Sequence, residues 1–180
     1  GGDSNTIDYI TIATAGNATD FGDATVARRQ SAGVSDATRG CICGGVVPGL
    51  YHNVIDYITI QSTGNATDFG DLTVARRNLG GLSDATRGVI GGGGGGGAGS
   101  GYTNIMDYIT IATTGNATDF GDLTDLRSST GGVSDATRGC FGGGVSSNVI
   151  DYITIASTGN GTDFGDLSVA RGSVSSGLAA

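Results

Sequence analysis

The sequence predicts an all-β protein built from four tandem units of ~48 residues, each holding four short strands. Three observations carry this expectation. The block Asp-Tyr-Ile-Thr-Ile starts at Asp8, Asp56, Asp107 and Asp151, and Thr-Asp-Phe-Gly-Asp follows each copy with its first Asp at Asp20, Asp68, Asp119 and Asp163. Both blocks step by 48, 51 and 44 residues. Glycine supplies 36 of 180 residues while Lys and Glu are absent, which argues against long helices.

Along one unit, Ile7, Tyr9 and Thr11 share one face of an extended segment, and Asp8, Ile10 and Ile12 the other. Both faces are largely apolar and β-branched, which suits a strand covered on both sides. Thr14-Ala15-Gly16-Asn17 reads as a tight hairpin turn, since Gly and Asn tolerate positive φ. The stretch from Phe21 to Val26 is the return strand, and Gln30 to Ser35 a weak third strand. Asp36-Ala37-Thr38-Arg39 is a turn with Asp at its favoured start. Gly40 to Gly45 is a fourth, glycine-rich strand that permits close backbone approach. The hairpin block Ser-Asp-Ala-Thr-Arg-Gly starts at Ser35, Ser83 and Ser134, and each copy leads into a glycine cluster. The chain reads as one domain, 1–180, with units of about 1–43, 44–90, 91–141 and 142–180.

Four short strands per period match a β-propeller blade. The order glycine cluster, Tyr, aromatic, Arg resembles the kelch repeat. Gly91 to Gly97, Tyr108, Phe120 and Arg127 fill it in one unit, and Gly44-Gly45, Tyr57, Phe69 and Arg76 in its neighbour. Tyr9, Phe21 and Arg28 begin the series, and Tyr152, Phe164 and Arg171 end it. Phe stands where the kelch pattern has Trp, in every copy. The repeats also resemble near-identical kelch-like arrays in structural proteins of bacteriophages, notably marine ones. The resemblance implies a propeller or propeller arc, with these Tyr, Phe and Arg residues as structural anchors. Two arrangements stay open: a ring closed by the tail Gly172 to Ala180 supplying a strand to the first blade, or an arc completed by a second copy or more chain.

Composition removes several function classes. Without Lys there is no Walker-type loop, Schiff base or kinase lysine, so the four Asp-Phe-Gly tripeptides are not a kinase magnesium site. The net charge of −8 argues against nucleic acid and anionic membrane partners. No apolar run approaches a membrane span of ~20 residues. His52 is the only histidine and sits in a variable connector, so a catalytic triad is not expected. Cys41 and Cys140 occupy equivalent positions where the second unit has Val89, which reads as a small buried hydrophobe.

The carboxylate pairs Asp20/Asp23, Asp68/Asp71, Asp119/Asp122 and Asp163/Asp166 are candidate calcium ligands if a ring gathers them, or else solvated turn residues. No other cofactor is expected. Arg39, Arg87 and Arg138 follow Asp36, Asp84 and Asp135 by three residues and are expected to pair across the turn. Arg28, Arg76, Arg127 and Arg171 can bridge carboxylates and carbonyls. Asn17, Asn65, Asn116 and Asn160 each begin Asn-x-Thr, or a glycosylation acceptor in form, and read first as turn formers. The connectors Val46 to His52, Gly91 to Thr103 and Val145 to Ser147 vary between units, so Tyr51, His52, Tyr102 and Ser146 are the candidate binding residues on one rim. The expected function is a non-enzymatic structural or adhesion protein of a virion tail, fibre or decoration, located on a virion, outside the cell or on its surface. The alternative is a propeller module binding glycans or proteins; an enzyme on a propeller ranks third. Expected partners are other copies of the chain, virion or surface proteins, and host glycans.

Overall fold

The computed structural model describes residues 2–95, 101–145 and 147–174, and every regular element among them is a strand. Strands β1 (Ser4–Tyr9) and β2 (Thr19–Arg28) form a two-stranded sheet. Three four-stranded antiparallel sheets follow. The second holds β3 (Ala32–Ser35), β4 (Arg39–Val47), β5 (Leu50–Thr59) and β6 (Thr67–Asp71). The third holds β7 (Gly80–Ser83), β8 (Arg87–Gly91), β9 (Thr103–Thr110) and β10 (Thr118–Arg127). The fourth holds β11 (Gly131–Ser134), β12 (Arg138–Gly142), β13 (Ser147–Thr154) and β14 (Thr162–Arg171). Each four-stranded sheet straddles two sequence units: it joins the Ser-Asp-Ala-Thr-Arg hairpin of one to the Tyr and Phe strands of the next.

The hairpin turn follows from its Asp. The Asp36 carboxylate accepts the N–H groups of Thr38 and Arg39, both at 2.6 Å, and Asp36 N–H donates to the Arg39 carbonyl at 3.0 Å. Beyond it, the double glycine at Gly44 and Gly45 has φ of 62° and 122° and breaks the β4·β5 register. The connection from β1 to β2 differs from the expected tight hairpin. It is a loop over residues 10–18, turned by Thr14 N–H on the Thr11 carbonyl at 3.0 Å.

The Phe of each Asp-Phe-Gly block occupies a bulge. Ile55 pairs with Gly70 and Asp56 with Asp68, so Phe69 is the extra residue on its strand. The same slip leaves Phe21, Phe120 and Phe164 unpaired in their ladders. Gly22, Gly70 and Gly121 follow with φ between 137° and 144°. The bulge turns the Phe carbonyl out of its own sheet and toward the next.

The core lies between sheets. Ile55 and Phe69 of the second sheet cluster with Ile90 and Ile109 of the third. Val89, Met106 and Phe120 of the third cluster with Phe141 and Ile153 of the fourth. Within a sheet, Arg39 sits 4.6 Å over the Tyr57 ring, whose edge meets Phe69 at 6.0 Å. Arg87, Tyr108 and Phe120 repeat this, as do Arg138, Tyr152 and Phe164.

The propeller expectation fails here, and with it both the closed ring and the arc. The four sheets are separate and open, and they stack in chain order. A backbone series runs one way along the row: Asn78 N–H to Gln30 O, Ser129 N–H to Asn78 O, Val174 N–H to Ser129 O. Phe21, Phe69 and Phe120 are 6, 3 and 2% exposed because the next sheet covers them, whereas Phe164 is 56% exposed. At the other end Ile12 is 94% exposed; of its counterparts Ile60, beside the two-stranded first sheet, is 42% exposed, while Ile111 and Ile155 are fully buried. A ring would bury both ends. Among the described residues no strand pairing and no ion pair joins the first sheet to the last. Residues 172–174 lie beside Ser129 at the far end from β1; the rest of the tail expected to complete the first blade, 175–180, lies outside the described residues. Period and strand count suit any stacked four-stranded meander, and the angle between sheets, which decides closure, leaves no mark on either.

Candidate functional site

The polar groups that recur in register all meet at the junctions between sheets. Arg28 Nη1 reaches Asp56 Oδ2 at 2.7 Å, and Arg76 Nη2 reaches Asp107 Oδ2 at 2.6 Å. Arg127 pairs with Asp151 in the same way. All three carboxylates are fully buried. Each is completed by a threonine of the preceding sheet: Thr25, Thr73 and Thr124 donate both their hydroxyl and their backbone N–H to it. The guanidinium also donates to carbonyls of the following sheet, as Arg76 Nη1 does to Gly92 at 2.8 Å and Ile105 at 2.6 Å. Burial pushes the Arg76 guanidinium down from its ordinary value, and Asp107 opposes that shift.

A second contact set lies at the Phe bulge. Gly64 N–H donates to the Phe21 carbonyl at 2.7 Å, Ala66 N–H to the Asp23 carbonyl at 2.8 Å, and Asp23 N–H to Asn65 Oδ1 at 3.1 Å. Asn116 clasps Asp71, and Asn160 clasps Asp122, with the same geometry. Three of the four Asn-x-Thr segments expected to form hairpin turns, those at Asn65, Asn116 and Asn160, thus dock on the preceding sheet. A Cβ on Gly22, Gly70 or Gly121 would lie 2.4–2.5 Å from the facing glycine carbonyl, so only glycine admits this approach.

The carboxylate pairs proposed for calcium are distributed along the row. Asp23, Asp71 and Asp122 take part in the Asn clasp through their backbone; Asp20, Asp119 and Asp163 accept the N–H two residues on. Asp68 and Asp166 occupy the corresponding places in their copies. Among the described residues no three His, Cys, Asp or Glu side chains come within reach of one metal ion.

Arg39 does not ion-pair with Asp36. Its guanidinium covers Tyr57 and donates to the Ile111 carbonyl at 3.2 Å, in the next sheet. Of the connector residues, Tyr51 and Tyr102 both meet the glycine run: a Cβ on Gly95 would lie 2.7 Å from the Tyr51 ring, and Tyr102 bridges to Gly94. Arg77 lies 5.7 Å over Tyr51. His52 is half-buried in β5, and Ser146 lies outside the described residues. Cys41 and Cys43 are buried; burial pushes the Cys41 thiol up to about 12 and the Cys43 thiol further.

The sequence reading missed Asp56, Asp107 and Asp151 as junction residues, and their threonines with them. The signal was present. An Asp inside an apolar, β-branched strand in every copy demands a buried cation, and the recurring Arg supplies it.

The chain matches no protein-family model, and no curated protein matches its sequence. The kelch resemblance is therefore unsupported by family as well as by fold. The virion or adhesion function, and the propeller module binding glycans or proteins, were expected of a propeller; the four separate open sheets are not one, and no matching family or curated protein ties the chain to either role.

Proposed function

We propose that the chain is a non-catalytic stacking module, whose role is the sheet-on-sheet association that its junctions repeat. The observation that carries this is the recurrence of one junction three times: the buried Arg–Asp pair, its threonine, the Asn clasp and the glycine that admits it. Side chains with chemical capacity are committed to that association. Three of the recurring arginines and their Asp partners are buried against each other, and the Cys41 and Cys43 thiols are held protonated in the core.

Hydrogen exchange on the Asp107→Asn chain tests the reading. The variant leaves Arg76 without its counter-charge at one junction only. The expected result is lost amide protection in β6 and β9, on the two sides of that junction, with β13 and β14 unchanged. Uniform protection equal to that of the unaltered chain would remove the junction as the coupling device, and the proposed role with it.

A further inference from the structure

We infer that the two ends of the row are complementary and that a second copy of this chain stacks on it head to tail; the inference rests on the stacking reading above. Each internal junction has two halves. One half is the bulged strand: Phe carbonyl, Gly, Asp N–H, a hydroxyl, Arg. The other is the strand Asp with its Gly-Asn loop, beside the glycine-rich strand whose carbonyls receive the Arg. The described residues contain one unmatched half of the first kind and, at the near end, the Asp and Gly-Asn loop of the second without the glycine-rich strand, since the first sheet has two strands. At the far end, β14 presents Phe164, Gly165, Asp166, Ser168 and Arg171, in the order found in β2, in β6 with the residues that follow it to Arg76, and in β10. At the near end, Asp8 and the Gly16-Asn17 loop stand where Asp56 and Gly64-Asn65 stand one sheet on.

Both halves are unpaired among the described residues. There Asp8 and Arg171 are exposed and belong to no ion pair, whereas Arg28, Arg76 and Arg127 each have their Asp. Gly165 has the bulge φ of 135°, yet a Cβ there would meet nothing within 4 Å; at Gly121 the same space holds the Gly159 carbonyl at 2.5 Å. Phe164 is the apolar surface that a neighbouring sheet covers at Phe21, Phe69 and Phe120, and Ile12 the one that is covered at Ile111 and Ile155 and partly at Ile60. Continuity of the repeat then sets the register. Arg171 of one copy meets Asp8 of the next with Ser168 bonded to the same carboxylate. Asn17 accepts the Asp166 N–H, and the Gly16 N–H donates to the Phe164 carbonyl. Such a contact joins two different surfaces, so it propagates instead of stopping at a dimer.

Charge exchange at the two ends tests this. Asp8 and Arg171 lie outside every internal junction, so Asp8→Arg and Arg171→Asp leave the row itself intact. Sedimentation of the unaltered 180-residue chain over a roughly hundredfold concentration range should show mass rising from the monomer to dimers and longer species. Each variant alone brings like charges together at the junction and should stay monomeric. An equimolar mixture should associate again, because each variant's altered end then faces an opposite charge. A monomer at every concentration, or association unchanged in both variants, overturns the inference. The exchange experiment on Asp107→Asn separates the two readings. Lost protection beside a monomeric wild type sinks only the end-to-end contact, and unchanged protection sinks the stacking role itself.

Discussion

Arg76 and Asp107 meet at 2.6 Å across a sheet junction with neither side chain exposed to solvent. The pair is fixed from both directions, since Thr73 holds the carboxylate and the Gly92 and Ile105 carbonyls hold the guanidinium. Removing one member leaves the other charged, buried and alone. Arg76→Ala should therefore cost about 3–5 kcal/mol in urea unfolding. Replacing both, as in Arg76→Met with Asp107→Leu, should recover most of that loss, since desolvating the pair opposes its attraction. A double variant as unstable as the single one would show that the pair's hydrogen bonds to backbone outweigh its desolvation.

Gly70 and Gly165 separate backbone strain from steric closure. Both have the bulge φ, 141° and 135°, but only Gly70 faces a carbonyl, that of Gly115 at 2.5 Å from an added Cβ. Gly165→Ala should cost only the strain, about 1–3 kcal/mol. Gly70→Ala should add overpacking of about 1–3 kcal/mol more by forcing two sheets apart. Thermal unfolding of both variants, in dilute solution, gives the comparison; equal losses would mean that the junction yields freely.

The Phe series makes the same division for apolar burial. Phe69 is covered by the third sheet, and Phe69→Ala should destabilise by ~3–5 kcal/mol. Phe164 has the same bulge and the same Tyr152 edge contact but no sheet over it. Phe164→Ala should cost well under half as much, as chemical denaturation midpoints would show. Equal costs would place the Phe contribution inside its own sheet, with Tyr, and not at the junction.

The strands and the hairpin were legible because their causes are local. The β-branched run around Tyr57, the Asp36 turn and the glycine cluster each act within a few residues, so the all-β class could be read directly. The junctions were less legible. Arg39 was expected on Asp36, three residues away, yet it bonds Ile111, which is distant in sequence and adjacent in space. Asn65 has a turn former's composition, but its partner is Asp23 in another sheet. Ring closure was the least legible feature. A repeat specifies how one sheet meets the next, and the same junction serves a ring and a row until the angle between sheets is known.

The cysteines give a test of burial that needs no substitution. The Cys41 thiol is pushed to about 12 by burial, against the partial relief of Arg39, and Cys43 is pushed beyond it. At pH 8 both are protonated in the folded chain and unreactive, while an unfolded cysteine with a pKa of about 8.5 reacts readily. Iodoacetamide should label Cys140 first, since it is only half-buried, and Cys41 and Cys43 only after urea unfolding. The sign for stability follows. The folded state holds thiol protons that the unfolded state releases, so stability should fall as pH rises above about 8.5. Rapid labelling of all three in the native chain would contradict the buried placement of β4.

Asp135 carries the complementary acid-side prediction. Its carboxylate accepts the N–H groups of Arg138 and Thr137, both at 2.7 Å, and these bonds hold it below the ordinary carboxylate range. Depression in the folded state means that its contribution is fully present above the unfolded pKa and is lost as pH falls through the folded one. Melting temperatures measured from neutral pH downward should therefore drop through and below the carboxylate range. Asparagine can accept the same two bonds without titrating, so Asp135→Asn should drop less over that interval, with the two curves converging at the acid end. Parallel curves across the whole range would show that the turn does not depend on the charge of Asp135.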